Sequence, residues 1–178
     1  LPTKRFSAAF AGGKYTVGGF IGTAALRQFL STIDYANGRL VLRERTAASS
    51  RQIREQLSGR IAGEVPFVLR ATHLMMARGR LNDSPDLTLF IDSGLASEGS
   101  VTVPIQTLRG LGIPEPVRRN PEESVGGGGG VWASGPFPLR TVALGGLVQS
   151  DLKGEYGARP PESYWEAGFI VDGLLSHR

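Results

Sequence analysis

The amino-acid sequence predicts a mainly β protein built from short strands and many turns. The chain contains 25 glycines and 11 prolines among its 178 residues, a composition that favours turns over a helical bundle. Short runs of alternating apolar residues are separated by clusters of Gly, Pro, Asn, Asp and Ser, which is typical of strands joined by turns. A chain of this length can form one domain with a sizeable core, or one small domain and part of another.

Composition excludes several classes of function. Because the chain has no cysteine, it cannot use disulfides, thiolate nucleophiles or Cys-based zinc sites. Two histidines, His73 and His177, are too few for a His-rich metal site, and the serine hydrolase motif Gly-x-Ser-x-Gly is absent. The net charge is +4, but the basic residues are scattered, so the sequence does not indicate nucleic-acid binding. No apolar stretch approaches the length of a membrane-spanning helix, and we expect no cofactor.

The first 45 residues are predicted to contain a short helix followed by a β-hairpin. The helix is expected to run to Leu30 from Thr23, which would act as its cap. Alternating residues over 31–35 and 39–44 predict two strands, and Asn37-Gly38 between them is the strongest hairpin signal in the chain. These residues are too few to bury a core alone.

Residues 46–63 are predicted to be a linker that contains a helix. Ser49, with Gln52 three positions later, fits a capping box, and Gly59 can end the helix. The many polar residues of this segment favour a position on the surface.

Beyond the linker, the sequence predicts further strands separated by turns. They cover residues 65–69, 73–81, 87–91, 100–105 and 139–144, with one helical turn over 107–111 and a polar loop over 156–166.

Asp92 is the strongest candidate for a functional residue. It follows the apolar strand 87–91 and is followed by Ser93 and Gly94, where the backbone can turn tightly. A carboxylate in such a turn can accept backbone N–H bonds, which orient it and favour its ionised form. The alternative is that Asp-Ser-Gly is simply turn chemistry, because all three residue types are common in turns.

A run of five glycines, residues 126–130, precedes Trp132 and has two interpretations. It can be a flexible linker. It can also be a mobile hairpin tip, where glycine backbone approaches a ligand closely. A phosphate-binding loop is not indicated, because the Gly-x-x-x-x-Gly-Lys-Ser pattern is absent.

Two segments far apart in the chain resemble each other. Residues 17–27 and residues 171–178 each contain a glycine followed by two apolar residues. They are separated by about the length of one small domain, which suggests two copies of one supersecondary unit.

These motifs resemble those of the retropepsin-like and pepsin-like aspartic proteases of the aspartyl protease family, bacterial members included. Each lobe of such a protease carries Asp-Thr/Ser-Gly after a strand, and later a Gly-apolar-apolar-Gly segment that leads into a short helix. Residues 90–94 match the first motif. The segment 19–22, together with 26–29 and the hairpin 32–40, closely resembles the end of a lobe in bacterial members.

The resemblance implies an acid protease lobe with short helices, plus the C-terminal part of a second lobe. Residues 1–45 would be the end of a preceding lobe whose own aspartate lies upstream, and residues 64–178 would be a lobe carrying Asp-Ser-Gly. Two residues depart from the family pattern. Leu95 stands where the family usually has Ala or Ser, and Ser176 stands where the second glycine of the lobe-ending motif would fall.

The resemblance also implies roles for particular residues. Asp92 would be one of two catalytic aspartates, Ser93 would hydrogen-bond across the lobe interface, and Gly94 would offer a backbone N–H. The flap over an extended peptide substrate would include Gly128, Gly129, Gly130 and Trp132.

A single Asp-Ser-Gly motif requires a partner for catalysis. The second aspartate is expected from an upstream lobe of the same natural protein, or from a second copy of the chain in a homodimer. Residues 13–45 could supply the hairpin missing after Arg178, within one chain or by swapping. The competing interpretation is a non-catalytic peptide-binding or assembly module with a degenerate protease fold, and a polysaccharide hydrolase is a more distant one. Related bacterial proteins are often exported.

Overall fold

Strands and turns dominate the chain, so the predicted mainly β class is confirmed. The computed structural model describes residues 16, 18–70, 74–94, 99–115, 134–157 and 170–177. The chain divides into two units, residues 1–58 and 59–178. Among the described residues, no helix combines the length and the apolar character needed to cross a membrane.

Within its described residues, the first unit is a β-hairpin flanked by two helices. Its elements are α1 (Thr23–Leu26), β1 (Phe29–Asp34), β2 (Arg39–Glu44) and α2 (Ala47–Gln56). The two strands are antiparallel, with Phe29 opposite Glu44 and Asp34 opposite Arg39. The turn has Gly38 at φ +61°, a left-handed conformation that glycine adopts without strain. The predicted hairpin is therefore confirmed.

The first helix is shorter than predicted. It ends at Leu26 rather than Leu30, because Phe29 and Leu30 pair with Glu44 and Arg43 and so extend the hairpin. The residue that precedes it is Gly22, and no side chain caps the helix, so the predicted cap at Thr23 is wrong.

The second helix begins earlier than the predicted capping box at Ser49 requires. Thr46 is its N-cap, and its hydroxyl oxygen accepts the Ser49 backbone N–H at 3.1 Å. The prediction failed because Ser49 is the third residue inside the helix, where its amide needs an acceptor. The last helical residue is Gln56, and Gly59 follows with φ +72°.

The described residues of the second unit form one nine-stranded mixed sheet with a short helix. The elements are β3 (Phe67–Arg70), β4 (Leu74–Leu81), β5 (Leu87–Ile91), β6 (Val101–Val103), α3 (Ile105–Gly110), β7 (Ser134–Phe137), β8 (Thr141–Leu144), β9 (Leu147–Ser150), β10 (Gly154–Gly157) and β11 (Gly173–Leu175). The strand order is β7-β10-β6-β11-β5-β4-β8-β9, with β3 also paired to β4.

Four of these strands were not predicted from the sequence. They are β7, β9, β10 and β11, and β10 contains Tyr156, which was assigned to a polar loop. Tyr156 is instead 2% exposed, because β10 pairs with β6 and β7 and turns this ring into the core. A strand reading Gly-Glu-Tyr-Gly is too short for periodicity to reveal it.

The core lies against one face of the sheet. It consists of Leu81, Leu89, Val101, Val103, Leu108, Phe137, Leu139, Val142 and Tyr156. Gly154 lets the Phe137 ring lie directly on the backbone, because a Cβ at this position would come within 2.5 Å of the ring. Along the central strands, burial alternates between neighbouring residues, because successive side chains point to opposite faces of the sheet.

A side-chain network closes the turn of the hairpin in the first unit. The Asp34 carboxylate accepts the backbone N–H of Asn37 at 3.1 Å, its side-chain amide at 2.9 Å and the Arg39 guanidinium at 3.0 Å. The Asn37 amide, followed by the Arg39 guanidinium, holds the pKa of the Asp34 carboxyl below its usual value. Asp34 thus favours the turn in its ionised form.

Replacing Leu89 by alanine should destabilise the second unit strongly. Leu89 is fully buried in a central strand, so the loss of its side chain leaves a cavity and should cost about 2–5 kcal/mol in the free energy of unfolding. Urea denaturation measures this change. Val148→Ala is the control, because Val148 is 67% exposed and its truncation should cost less than about 0.5 kcal/mol. Equal effects of the two substitutions would contradict the assigned core.

Replacing Asn37 by alanine should raise the pKa of Asp34 toward its ordinary value, because the largest cause of the lowering is removed. In the unaltered chain, the contribution of Asp34 to the turn is complete above the unfolded-state pKa of about 3.9. It is lost as the pH falls through the lower folded-state pKa. An NMR titration measures the pKa of the Asp34 carboxyl in the unaltered chain and in Asn37→Ala. The control substitution is Gln52→Ala, at an exposed position. An unchanged pKa in Asn37→Ala would contradict this assignment.

Candidate functional site

The strand β5 carries Asp92 to the point where the sheet ends. It is a central strand, with β4 antiparallel on one side and β11 parallel on the other. Phe90 has Met76 and Leu174 as its two neighbours across these strands. Leu89 is fully buried, Asp92 is partly buried, and Ser93 is exposed. The strand therefore anchors Asp92 from the core side while its turn remains open.

The turn after β5 orients the carboxylate. The backbone N–H of Gly94 donates to Oδ1 of Asp92 at 2.9 Å, which is the hydrogen bond expected of an aspartate at this place in a turn. No cation pairs with Asp92 within the described part of the chain. Among the described residues, the Gly94 N–H is the backbone donor to this carboxylate, and no basic side chain forms an ion pair with it.

The strand β11 is inserted between β5 and β6. It runs parallel to β5 and antiparallel to β6, so β5 and β6 are antiparallel to each other although they do not pair. The backbone N–H of Asp92 donates to the carbonyl oxygen of Leu175 at 2.9 Å. The N–H of Ser176 donates to the carbonyl of Ser100 at 2.8 Å. The Asp-Ser-Gly turn and the Gly-apolar-apolar segment, which are distant in sequence, therefore lie side by side.

Asp172 is a residue that the sequence analysis did not single out. Its Oδ2 accepts the backbone N–H of Thr88 at 2.7 Å, and its own N–H donates to the Thr88 carbonyl at 2.8 Å. The hydroxyl of Thr107 donates to the Asp172 carbonyl at 2.6 Å. No local sequence signal marks this contact, because it depends on β11 lying beside β5.

The remaining candidate residues, Gly128, Gly129, Gly130 and Trp132, lie outside the described residues, as does Leu95. Among the described residues, no three or more His, Cys, Asp or Glu side chains are grouped so that they could hold a metal ion.

Two cavities lie elsewhere on the described surface. One, of about 310 Å³, is lined by Leu87, Thr107 and Asp172 among others, at the start of β5 and so at the opposite end of the strand from Asp92. The other, of about 470 Å³, is lined by Val68, Met76 and neighbouring side chains. Asp92 lines neither of these cavities.

Replacing Asp92 by asparagine should leave the fold unchanged. The Asn amide oxygen can still accept the Gly94 N–H, so the free energy of unfolding should change by less than about 0.5 kcal/mol. Asp92→Ala removes the acceptor and should cost about 1 kcal/mol. Thermal and urea denaturation measure both effects. A loss of several kcal/mol in Asp92→Asn would mean that the charge itself supports the fold.

Comparison with known proteins does not assign the chain to a family. No protein-family model, no curated protein and no solved structure matches it.

Proposed function

We propose that this chain is part of an aspartic-type endopeptidase, in which Asp92 is one of two catalytic carboxylates. The observation that carries the proposal is the hydrogen bond from the Asp92 N–H to the Leu175 carbonyl. It joins the two motifs on which the resemblance to aspartic proteases depends, although they come from distant parts of the sequence. The tendency of Asp, Ser and Gly to form turns does not by itself explain why these two motifs lie together.

The proposed chemistry needs two carboxylates that share one proton, because two like charges so close together cannot both ionise. The ionised member takes a proton from a water molecule as that water attacks the peptide carbonyl. The protonated member polarises the carbonyl and then helps to protonate the leaving nitrogen. The partly exposed Asp92, with one backbone donor on Oδ1, is suited to either position.

The remaining roles follow from the same proposal. Ser93 is exposed beside Asp92 and would hydrogen-bond across the interface between two lobes. Gly94 would supply the backbone N–H that keeps the carboxylate oriented. The glycine-rich segment with Gly128, Gly129, Gly130 and Trp132 would cover an extended peptide and exclude water.

The second aspartate would come from another Asp-Thr/Ser-Gly lobe or from a second copy of the chain. The substrate cleft would form between two such lobes, each supplying one wall, with Asp92 at the end of β5 on one of them. The substrate would be an extended peptide segment, and the chemistry requires no metal or organic cofactor.

The proposed activity should be strongly reduced by Asp92→Asn. Peptide cleavage is expected to be fastest at mildly acidic pH, where the pair holds one proton, and to be inhibited by a statine-type peptide. Loss of the general base should reduce kcat by about 10²–10⁴-fold. Two proteins are assayed. One is the natural polypeptide that carries these residues, and the other is the purified chain, which is tested over a range of concentrations.

The matched control is Asp86→Asn, which removes an exposed carboxylate just before β5. It should leave cleavage unchanged. Cleavage at an undiminished rate in Asp92→Asn, or a natural polypeptide that cleaves no peptide at any acidic pH, would reject the proposal.

A second candidate is a peptide-binding or assembly module without catalysis. The supporting observation is the end strand β9, whose Val148, Gln149 and Ser150 are exposed at an edge of the sheet. An extended peptide could add to such an edge through main-chain hydrogen bonds. Binding that is unaffected by Asp92→Asn, without cleavage, would favour this candidate.

A further inference from the structure

We propose that Asp172 is a positioning residue that fixes β11 between β5 and β6 and thereby holds the Asp92 turn in place. The relevance of this role to catalysis rests on the proposed function, whereas the positional effect does not. The inference comes from three hydrogen bonds that tie one residue to two other elements of the sheet unit.

The first two bonds join Asp172 to Thr88 in both directions. The carboxylate accepts the Thr88 N–H at 2.7 Å, while the Asp172 N–H donates to the Thr88 carbonyl at 2.8 Å. The side chain thus provides the acceptor for Thr88 just before the first paired residue of β11, Gly173, which lies opposite Leu89. A hydrogen bond to an ionised carboxylate is stronger than one to a neutral carbonyl.

The third bond joins the same residue to α3. The Thr107 hydroxyl donates to the Asp172 carbonyl at 2.6 Å, and Thr107 is only 7% exposed. A buried hydroxyl that lost its partner would carry a desolvation cost, so this contact favours a single position for Asp172. Asp172 is therefore fixed against both β5 and α3.

The position of Asp172 sets the register of a very short strand. The strand β11 has three residues, so its own backbone ladder gives few hydrogen bonds to resist slipping. A slip by one residue would exchange the faces of Leu174 and Leu175. In the observed register, Leu175 lies opposite both Ile91 and Val101, and its carbonyl reaches the Asp92 N–H.

Asp172 acts at a distance from the candidate catalytic residue. Thr88 is the second residue of β5 and Asp92 follows its last residue, and four residues of extended chain span roughly 13 Å. Asp172 therefore touches Asp92 only through the strands, which makes it a positioning residue rather than a catalytic one. The N-terminal end of β11 is held by Asp172, and its C-terminal end is held by the backbone hydrogen bonds of Asp92 and Ser176.

Amide hydrogen exchange in the full chain tests the proposal. Asp172→Ala removes the acceptor, Asp172→Asn keeps an oxygen that can accept the Thr88 N–H, and Asp86→Ala is a matched control from the exposed residue just before β5. In Asp172→Ala, the amides of Asp92 and Ser176 should exchange roughly tenfold faster or more. Amides of the β8–β9 hairpin should keep their rates. Asp172→Asn should restore most of the protection, and Asp86→Ala should change nothing.

Two results would overturn the proposal. Faster exchange confined to Thr88 would mean that the contact is only local. Equal acceleration across all strands, β8 and β9 included, would mean that Asp172 contributes general stability without positioning the turn.

Thr107→Val provides a second test if Asp172→Ala does not fold. It removes the hydroxyl donor at nearly constant volume, so it loosens Asp172 from α3 while leaving the carboxylate in place. The same selective acceleration at Asp92 and Ser176 is expected. Unchanged exchange at both amides would show that the hydrogen bond from Thr107 to Asp172 does not help to hold the Asp92 turn.

Failure of this inference can be told apart from failure of the proposed function. The exchange pattern is measured without any peptide cleavage, so its outcome does not depend on the proposed function. Where cleavage is measured, Asp172→Ala should lower kcat more than it raises KM, and Asp172→Asn should recover kcat.

Discussion

The insertion of β11 between β5 and β6 is the constraint on which the rest of the sheet unit depends. These two strands are joined by a short connection but do not pair with each other, and β11 links them by pairing with both. The core residues Leu89 and Val101 therefore share one face only when this late segment is in place. The Asp92 turn depends on it too, through the Leu175 carbonyl.

Local patterns were sufficient to predict the elements whose signals lie within a few residues. Asn37-Gly38 predicted the hairpin, and the apolar alternation before Asp92 predicted β5. Both signals are local, because a turn and the pleat of a strand each depend on residues close together in the sequence. The Gly94 N–H bond to the Asp92 carboxylate followed from the same turn chemistry. The mainly β class also followed, since glycine and proline limit helix formation.

Other parts of the structure depend on pairing between distant residues, which periodicity does not report. The strand β10 exists because its backbone pairs with β6 and β7, and Tyr156 is buried as a result. The contact between Asp172 and Thr88 could not be predicted without knowing that β11 lies beside β5. The early end of α1 has a similar origin, because pairing with β2 outweighed the helical pattern at Phe29 and Leu30.

The place of β11 in the chain also sets an order of events during protein synthesis. A ribosome releases β5 and β6 well before residues 173–175, so the nascent chain holds two unjoined strands and an incomplete Asp92 turn. Pairing over so long a separation is intrinsically slow, because the intervening loop must first close. The acidic turn thus reaches its final geometry only after translation has passed Ser176, which delays maturation of the site until the whole sheet can assemble.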